Sequence, residues 1–203
     1  GGYGQSNSVY NVKGSFTGSG TLNVGPGWLN LFGSPNTYSG EVAVVGSGRN
    51  VPGGGGIGVR ADKGLRLEIA ACEVRGNKVG NGGSDRHGAG IGNWGVSDLG
   101  AITVDHCLIY GNETKGGKGG GIGLAYNNNA IAISDTTIAG NVASGAGGGL
   151  STGGSGKVTL TGSVISGNAS GSGAADVDGT PASGSANNIL GTASFVDAAS
   201  RDY

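Results

Sequence analysis

Asp105-His106 is the only place in this chain of 203 residues where a carboxylate directly precedes an imidazole, and a second carboxylate, Asp135, follows one repeat later. Cleavage of a polysaccharide needs paired carboxylates, or carboxylates with calcium and an Arg or Lys base, gathered on one outward face. Aligned on the recurring Gly-Asn pairs, the two positions read Ala70-Ala71, Asp105-His106, Ser134-Asp135 and Thr161-Gly162. Only Asp105 and Asp135 can meet in that alignment. The favoured reading is a corner pair, and no catalytic residue is assigned.

A second set of polar side chains follows the asparagines. Lys78, Asp85, Arg86 and His87 come after the first, and Glu113, Lys115 and Lys118 after the next. Read as loops of unequal length along one edge of a repeated scaffold, they are a candidate partner-binding surface. The plainer reading is solvated loops that mask a sheet. Asp176-Val177-Asp178-Gly179 lacks the further spaced oxygens of a calcium loop and reads as a turn. No metal and no cofactor is expected.

Gly90, Gly92 and Gly95 have dinucleotide-loop spacing but no following helix, which leaves turn chemistry. Asn112-Glu113-Thr114 and Asn168-Ala169-Ser170 match the glycosylation acceptor pattern, yet both asparagines fall at positions expected to face inward. Sugar-binding platforms need exposed aromatics. Trp28, Trp94, Tyr110 and Tyr126 do not recur at one position.

The elements that must position these residues are repeats. A small-residue run ending in an aliphatic closes at Ile57, Ile91, Ile122 and Leu150, and weakly at Val177. Gly-Asn recurs at Asn77, Asn112, Asn141 and Asn168. Three residues before each Asn stand Val74, Ile109, Ile138 and Ile165; eight before, Ile69, Val104, Ile133 and Leu160; ten before, Leu67, Ile102, Ile131 and Val158. Apolar positions two apart signal strands. Short strands cannot bury an apolar face alone, so the repeats must stack at roughly 4.8 Å. Like then lies over like. The four asparagines become an inward ladder, and Cys72 and Cys107 a stacked pair continued by Thr136 and Ser163.

Composition agrees with a thin-cored repeat. The chain has 49 Gly and 4 Pro, a level that suggests disorder unless the glycines recur with a period, as they do. A formal net charge of −1 gives no basic field for nucleic acid or anionic lipid. No run reaches the roughly 18 apolar residues of a membrane-spanning helix. Gly1 in place of an initiator Met suggests processing, or a portion of a longer precursor. Two cysteines leave the redox compartment open.

The Gly-Gly-Gly-Ile turns and Ile-x-Gly-Asn strand ends, from about residue 53 to 178, resemble the parallel β-helix repeats of bacterial polymorphic outer-membrane proteins and autotransporter-like adhesins, within the pectate-lyase-like superfamily. Gly20–Gly25, Trp28–Gly33 and Asn36–Gly40 look like the strand repeat of autotransporter passengers. Ser194–Asp197 with Arg201–Tyr203 is similar to the closing segment of large secreted β-helix proteins, and Val104-Asp105-His106 resembles an Ile-Asp-His stretch of pectate lyases.

The resulting expectation is an all-β, right-handed, single-stranded parallel β-helix in one continuous domain. Its parts are an N-terminal segment with autotransporter-like rungs (1–52), the helix repeats (53–178) and an incomplete C-terminal rung (179–203). The expected function is a noncatalytic extracellular or cell-surface module of a bacterial fibre, sheath or adhesin. It would self-associate head to tail, with Gly1–Val12 completing the neighbour's open end. The alternatives are a polysaccharide lyase or glycoside hydrolase, and a module binding surface glycan or matrix.

Overall fold

The computed structural model of the chain describes residues 8–13, 17–18, 21–24, 27–32, 36–39, 41–44, 47–48, 56–60, 67–80, 87–94, 102–124, 131–154, 158–191 and 193–195. Among these the protein is all-β, without a helix, and its strands are two to six residues long. They form five sheets. The registers are parallel: Ile102 lies opposite Leu67 and Ile131, and Ile109 opposite Val74 and Ile138. Each pass of the chain lays its strands beside those of the previous pass, an arrangement compatible with a parallel β-helix.

The sequence explains why the strands are short. Ile102–Asp105, Ile131–Ser134 and Val158–Thr161 are brief alternations of inward aliphatic and outward small or polar residue, each cut by a residue that leaves strand conformation. In Ile131–Ser134 and Val158–Thr161 the inward residues are buried, while Ala132 is exposed and Thr159 half-buried. The first cut lies six residues before each Asn, where Ala71, His106, Asp135 and Gly162 have φ of 52°, 49°, 45° and 60°. The second is the Gly of Gly-Asn, with φ between 61° and 69° at Gly76, Gly111, Gly140 and Gly167. Side chains with a Cβ seldom adopt this left-handed region, which is why a glycine stands before every asparagine.

Between the corners the interior is a set of single-residue columns. Val74, Ile109, Ile138 and Ile165 are each 0 % exposed. Ile69, Val104, Ile133 and Leu160 form a second column, and Ile57, Ile91, Ile122 and Leu150 a third, all buried. Burying one such side chain stabilises by roughly 1.5–3 kcal/mol, so the columns drive the stacking. The sheets run on across residue 52. Leu29 pairs with Ile57, Thr37 with Glu68 and Ser47 with Lys78. At the other end Ile189–Gly191 pairs with Val164–Ser166. Residues 1–7 and 196–203, which hold Tyr3 and most of the closing motif, lie outside the described residues.

The cysteines belong to a column that follows the first corner. Cys107 N–H donates to Thr136 Oγ1 (3.2 Å), Thr136 N–H to Ser163 Oγ (3.2 Å), and Ser163 N–H to Asn188 Oδ1 (2.9 Å). Each side chain also donates to the carbonyl two residues back: Cys72 to Ala70, Cys107 to Asp105, Thr136 to Ser134 and Ser163 to Thr161. The thiols thus act as hydroxyl equivalents. Both are buried and neither is in a disulfide. The hydrogen bond with Cys72, together with burial, pushes the Cys107 thiol up, away from the reactive thiolate. In the native protein both cysteines should therefore resist an aromatic disulfide reagent, and both should react once denaturant is added. Fast labelling without denaturant would contradict the inward placement.

Candidate functional site

The stacked first corners bring chemistry-bearing side chains together. Asp105 pairs with Ser134 across neighbouring strands, and the next residues, His106 and Asp135, occupy equivalent left-handed positions. Histidine and aspartate are among the few non-glycine residues enriched there. Their side chains are exposed, whereas that of Asp105 is half-buried. His106 Nδ1 and Asp105 Oδ2 are 2.7 Å apart, and Ser134 Oγ donates to Asp105 Oδ1 at 2.5 Å. An ionised carboxylate only accepts, so Nδ1 carries the proton and Nε2 points away from Asp105. His106 Nε2 lies 4.0 Å from Asp135 Oδ2.

This order of contacts does not make Ser134 a nucleophile activated by His106. The carboxylate stands between hydroxyl and imidazole, so the imidazole does not accept the hydroxyl proton as a Ser-His-Asp relay requires. What the cluster does have is shifted electrostatics. The Ser134 hydroxyl holds the Asp105 carboxyl below its ordinary range; burial, the next largest effect, opposes it, and the hydrogen bond and charge of His106 add to the lowering. The hydrogen bond and charge of Asp105 raise His106 above its ordinary value of 6.5.

The sign of the pH dependence follows from these directions. The raised His106 contributes stability below pH 6.5 and loses it as pH climbs through its folded value. The depressed Asp105 contributes above its ordinary 3.8 and loses it as pH falls through its own folded value. Imidazole NMR titration should place His106 above 6.5, and Asp105→Asn should move it down. A midpoint unmoved by that substitution would show that the contact does not persist in solution.

The charged set after the asparagines is arranged differently from the loop reading. Lys78 and Glu113 are not in loops: they sit in the strands Lys78–Val79 and Glu113–Thr114 and pair directly. The interior asparagine turns the chain straight into a new strand, which places the next residue on the outer face. Glu113 then lies 3.3 Å from Lys78 and 3.5 Å from Lys115, and Lys118 reaches Asp178 at 3.0 Å. His87 Nδ1 accepts the backbone N–H of Lys118 (3.2 Å). Asp85 and Arg86 lie outside the described residues. Lys78 and Lys115 thus share one carboxylate, and Lys118 has its own. Such pairs contribute at most about 1 kcal/mol each and leave little net field.

No family model, curated protein or solved structure matches this chain.

The inward asparagines form a continuous hydrogen-bonded file. Asn77 Nδ2 donates to Asn112 Oδ1 (2.8 Å), Asn112 Nδ2 to Asn141 Oδ1 (2.9 Å) and Asn141 Nδ2 to Asn168 Oδ1 (2.9 Å). Each carboxamide oxygen also takes the backbone N–H of the preceding asparagine at 2.9–3.0 Å. The Nδ2 atoms of Asn112, Asn141 and Asn168 also donate back to the carbonyls of Val74, Ile109 and Ile138 respectively. Asn77 Oδ1 has no donor among the described residues.

The other end is closed by a residue that sequence reasoning took for part of a turn. Asp176 Oδ1 accepts from both Asn168 N–H (3.0 Å) and Nδ2 (2.8 Å). Asp176 stands immediately before Val177, where earlier repeats place Gly56, Gly90, Gly121 and Gly149 before their aliphatic. In those repeats a Cβ would run into the Asn amide nitrogen, at 2.8 Å for Gly56 and 2.7 Å for Gly149. That direction is the one the Asp176 side chain follows to reach the ladder. A signal was present, since the weak Ala-Ala-Asp-Val run is the only repeat with a carboxylate in the glycine column.

Proposed function

We propose that the chain is a noncatalytic structural module, a right-handed parallel β-helix secreted by or displayed on a bacterium, whose copies stack head to tail. Parallel sheets built from successive passes of the chain support the coil, and parallel crossover connections are right-handed in nearly all proteins. The observation that carries the assembly reading is Leu190. It continues the column of Val74, Ile109, Ile138 and Ile165, each 0 % exposed, yet is itself 47 % exposed beside Ile189 at 50 %.

The seven-stranded sheet supplies a partner for that end. Ser8–Lys13 forms one edge and Val177–Asp178 the opposite edge. A strand edge is a template for another strand, so one copy's Ser8–Lys13 would lie beside the next copy's Val177–Asp178. The two ends differ, and a contact between them propagates as a filament if it does not close a ring. The charged faces then remain at the filament's side, open to surface glycan or matrix. The competing lyase or hydrolase reading rests on Asp105 and Asp135 alone.

Light scattering at increasing concentration, with electron microscopy, tests the proposal. Intact chain is expected to form filaments, and Leu190→Lys to remain a folded monomer. Intact chain that stays monomeric, or Leu190→Lys that polymerises equally, overturns it. Cleavage of a polyuronate that is lost in Asp135→Asn would establish the enzyme reading in its place.

A further inference from the structure

We propose that the corner formed by His106 and Asp135 is a binding site for a divalent transition-metal ion, with His106 Nε2 and Asp135 Oδ2 as ligands and Asp105 as the positioning residue. Donor atoms of Asp105, His106 and Asp135 all lie within 4.8 Å of one another. The imidazole is already set for ligation. Its Nδ1–H is engaged by Asp105 Oδ2, so the deprotonated ring presents its lone pair at Nε2. A carboxylate behind a histidine, fixing ring orientation and tautomer, is the common support of a metal-bound imidazole. Ser134 in turn fixes that carboxylate through Asp105 Oδ1.

The distances suit the ion. Zinc–nitrogen and zinc–oxygen bonds of about 2.0–2.2 Å at a tetrahedral angle place the two ligand atoms about 3.4 Å apart. His106 Nε2 and Asp135 Oδ2 stand 4.0 Å apart, and both side chains are more than half exposed, so a small rotation closes the gap. Gly162 leaves room on the other side, because a Cβ there would come within 2.4 Å of Asp135 Oδ1. With two protein ligands, water or a donor from a second molecule completes the coordination. An imidazole–carboxylate pair favours zinc or nickel over calcium, which takes oxygen ligands.

The test is calorimetric titration of the untagged chain with zinc chloride and separately with calcium chloride. Zinc is expected to bind saturably, one ion per chain, with a dissociation constant below about 1 mM. His106→Ala should abolish that binding, and Asp135→Asn should weaken it at least about tenfold. Asp105→Asn, which removes only the support behind the ring, should weaken it about 10- to 100-fold. His87→Ala, at the other histidine, should leave it unchanged. All four positions are at the surface, and a melting curve for each variant confirms folding. The proposal is overturned by absence of saturable zinc binding, by binding that survives His106→Ala, or by calcium that binds as tightly as zinc.

Discussion

Asn141→Leu should lower the melting temperature by about 10 °C or more. Asn141 is 0 % exposed and sits in the middle of the file. Its Oδ1 takes two donors from Asn112, and its Nδ2 reaches Ile109 O, Ala139 O and Asn168 Oδ1. Leucine removes all of these while filling a similar volume. The Asn112 backbone N–H and part of the facing oxygens are then left buried without partners, at about 1–3 kcal/mol each. Two or three such groups amount to about 2–9 kcal/mol, and a chain of this size loses about 2–4 °C per kcal/mol. Asn141→Asp should fare no better, because a carboxylate keeps the two acceptor roles but sets oxygen against Asn168 Oδ1. Thermal and denaturant melts read the effect. A variant melting within a degree or two of the parent would show that the file contributes little.

Gly121→Val is expected to be at least as damaging, for a steric reason. A Cβ at Gly121 would lie 2.7 Å from Gly149 O, 2.9 Å from Ile138 Cγ2 and 3.0 Å from Asn141 Nδ2. The nearest of these is backbone of the next pass and cannot yield without opening the stack. Valine brings two further methyls to a point already overfilled by one carbon, beyond the usual 1–3 kcal/mol of core overpacking. Soluble yield and melting temperature should both fall, with Gly121→Ala intermediate. By contrast Gly76→Ala meets nothing within 4 Å, and its cost is confined to a φ of +66°. A Gly121→Val protein that melts like the parent would refute the close approach.

The aliphatic columns and the asparagine file are legible in the sequence because each recurs at a fixed offset from Gly-Asn, and stacking turns a repeated offset into direct contact. The pairing of Cys72, Cys107, Thr136 and Ser163 follows from the same rule. What offsets cannot convey is a residue that plays one column's part from another column's position. Asp176 does so, reaching the amide file from the glycine column. Offsets also hide side-chain direction at the left-handed corner, so the contact between Asp105 and His106 and their approach to Asp135 emerge only with coordinates. Lys78 and Glu113 read as loop residues in the sequence because polarity alone does not separate a solvated loop from the outer face of a two-residue strand.

The file of amides has a sense of direction. Each Nδ2–H points toward the following pass, so the carboxamide dipoles add in series. The series begins at Asn77 Oδ1 and is received at the far end by the carboxylate of Asp176, the group best suited to meet a terminal N–H. In polymer terms Asp176 is a stop unit, whereas glycine at the same position is a continue unit. A lengthened version would duplicate a whole interval, such as the 27 residues from one asparagine to the next, upstream of Asp176. The intervals between successive asparagines are 35, 29 and 27 residues, so the stretches between strands absorb extra residues, whereas an insertion inside a strand or corner would throw asparagine and aliphatic out of phase together.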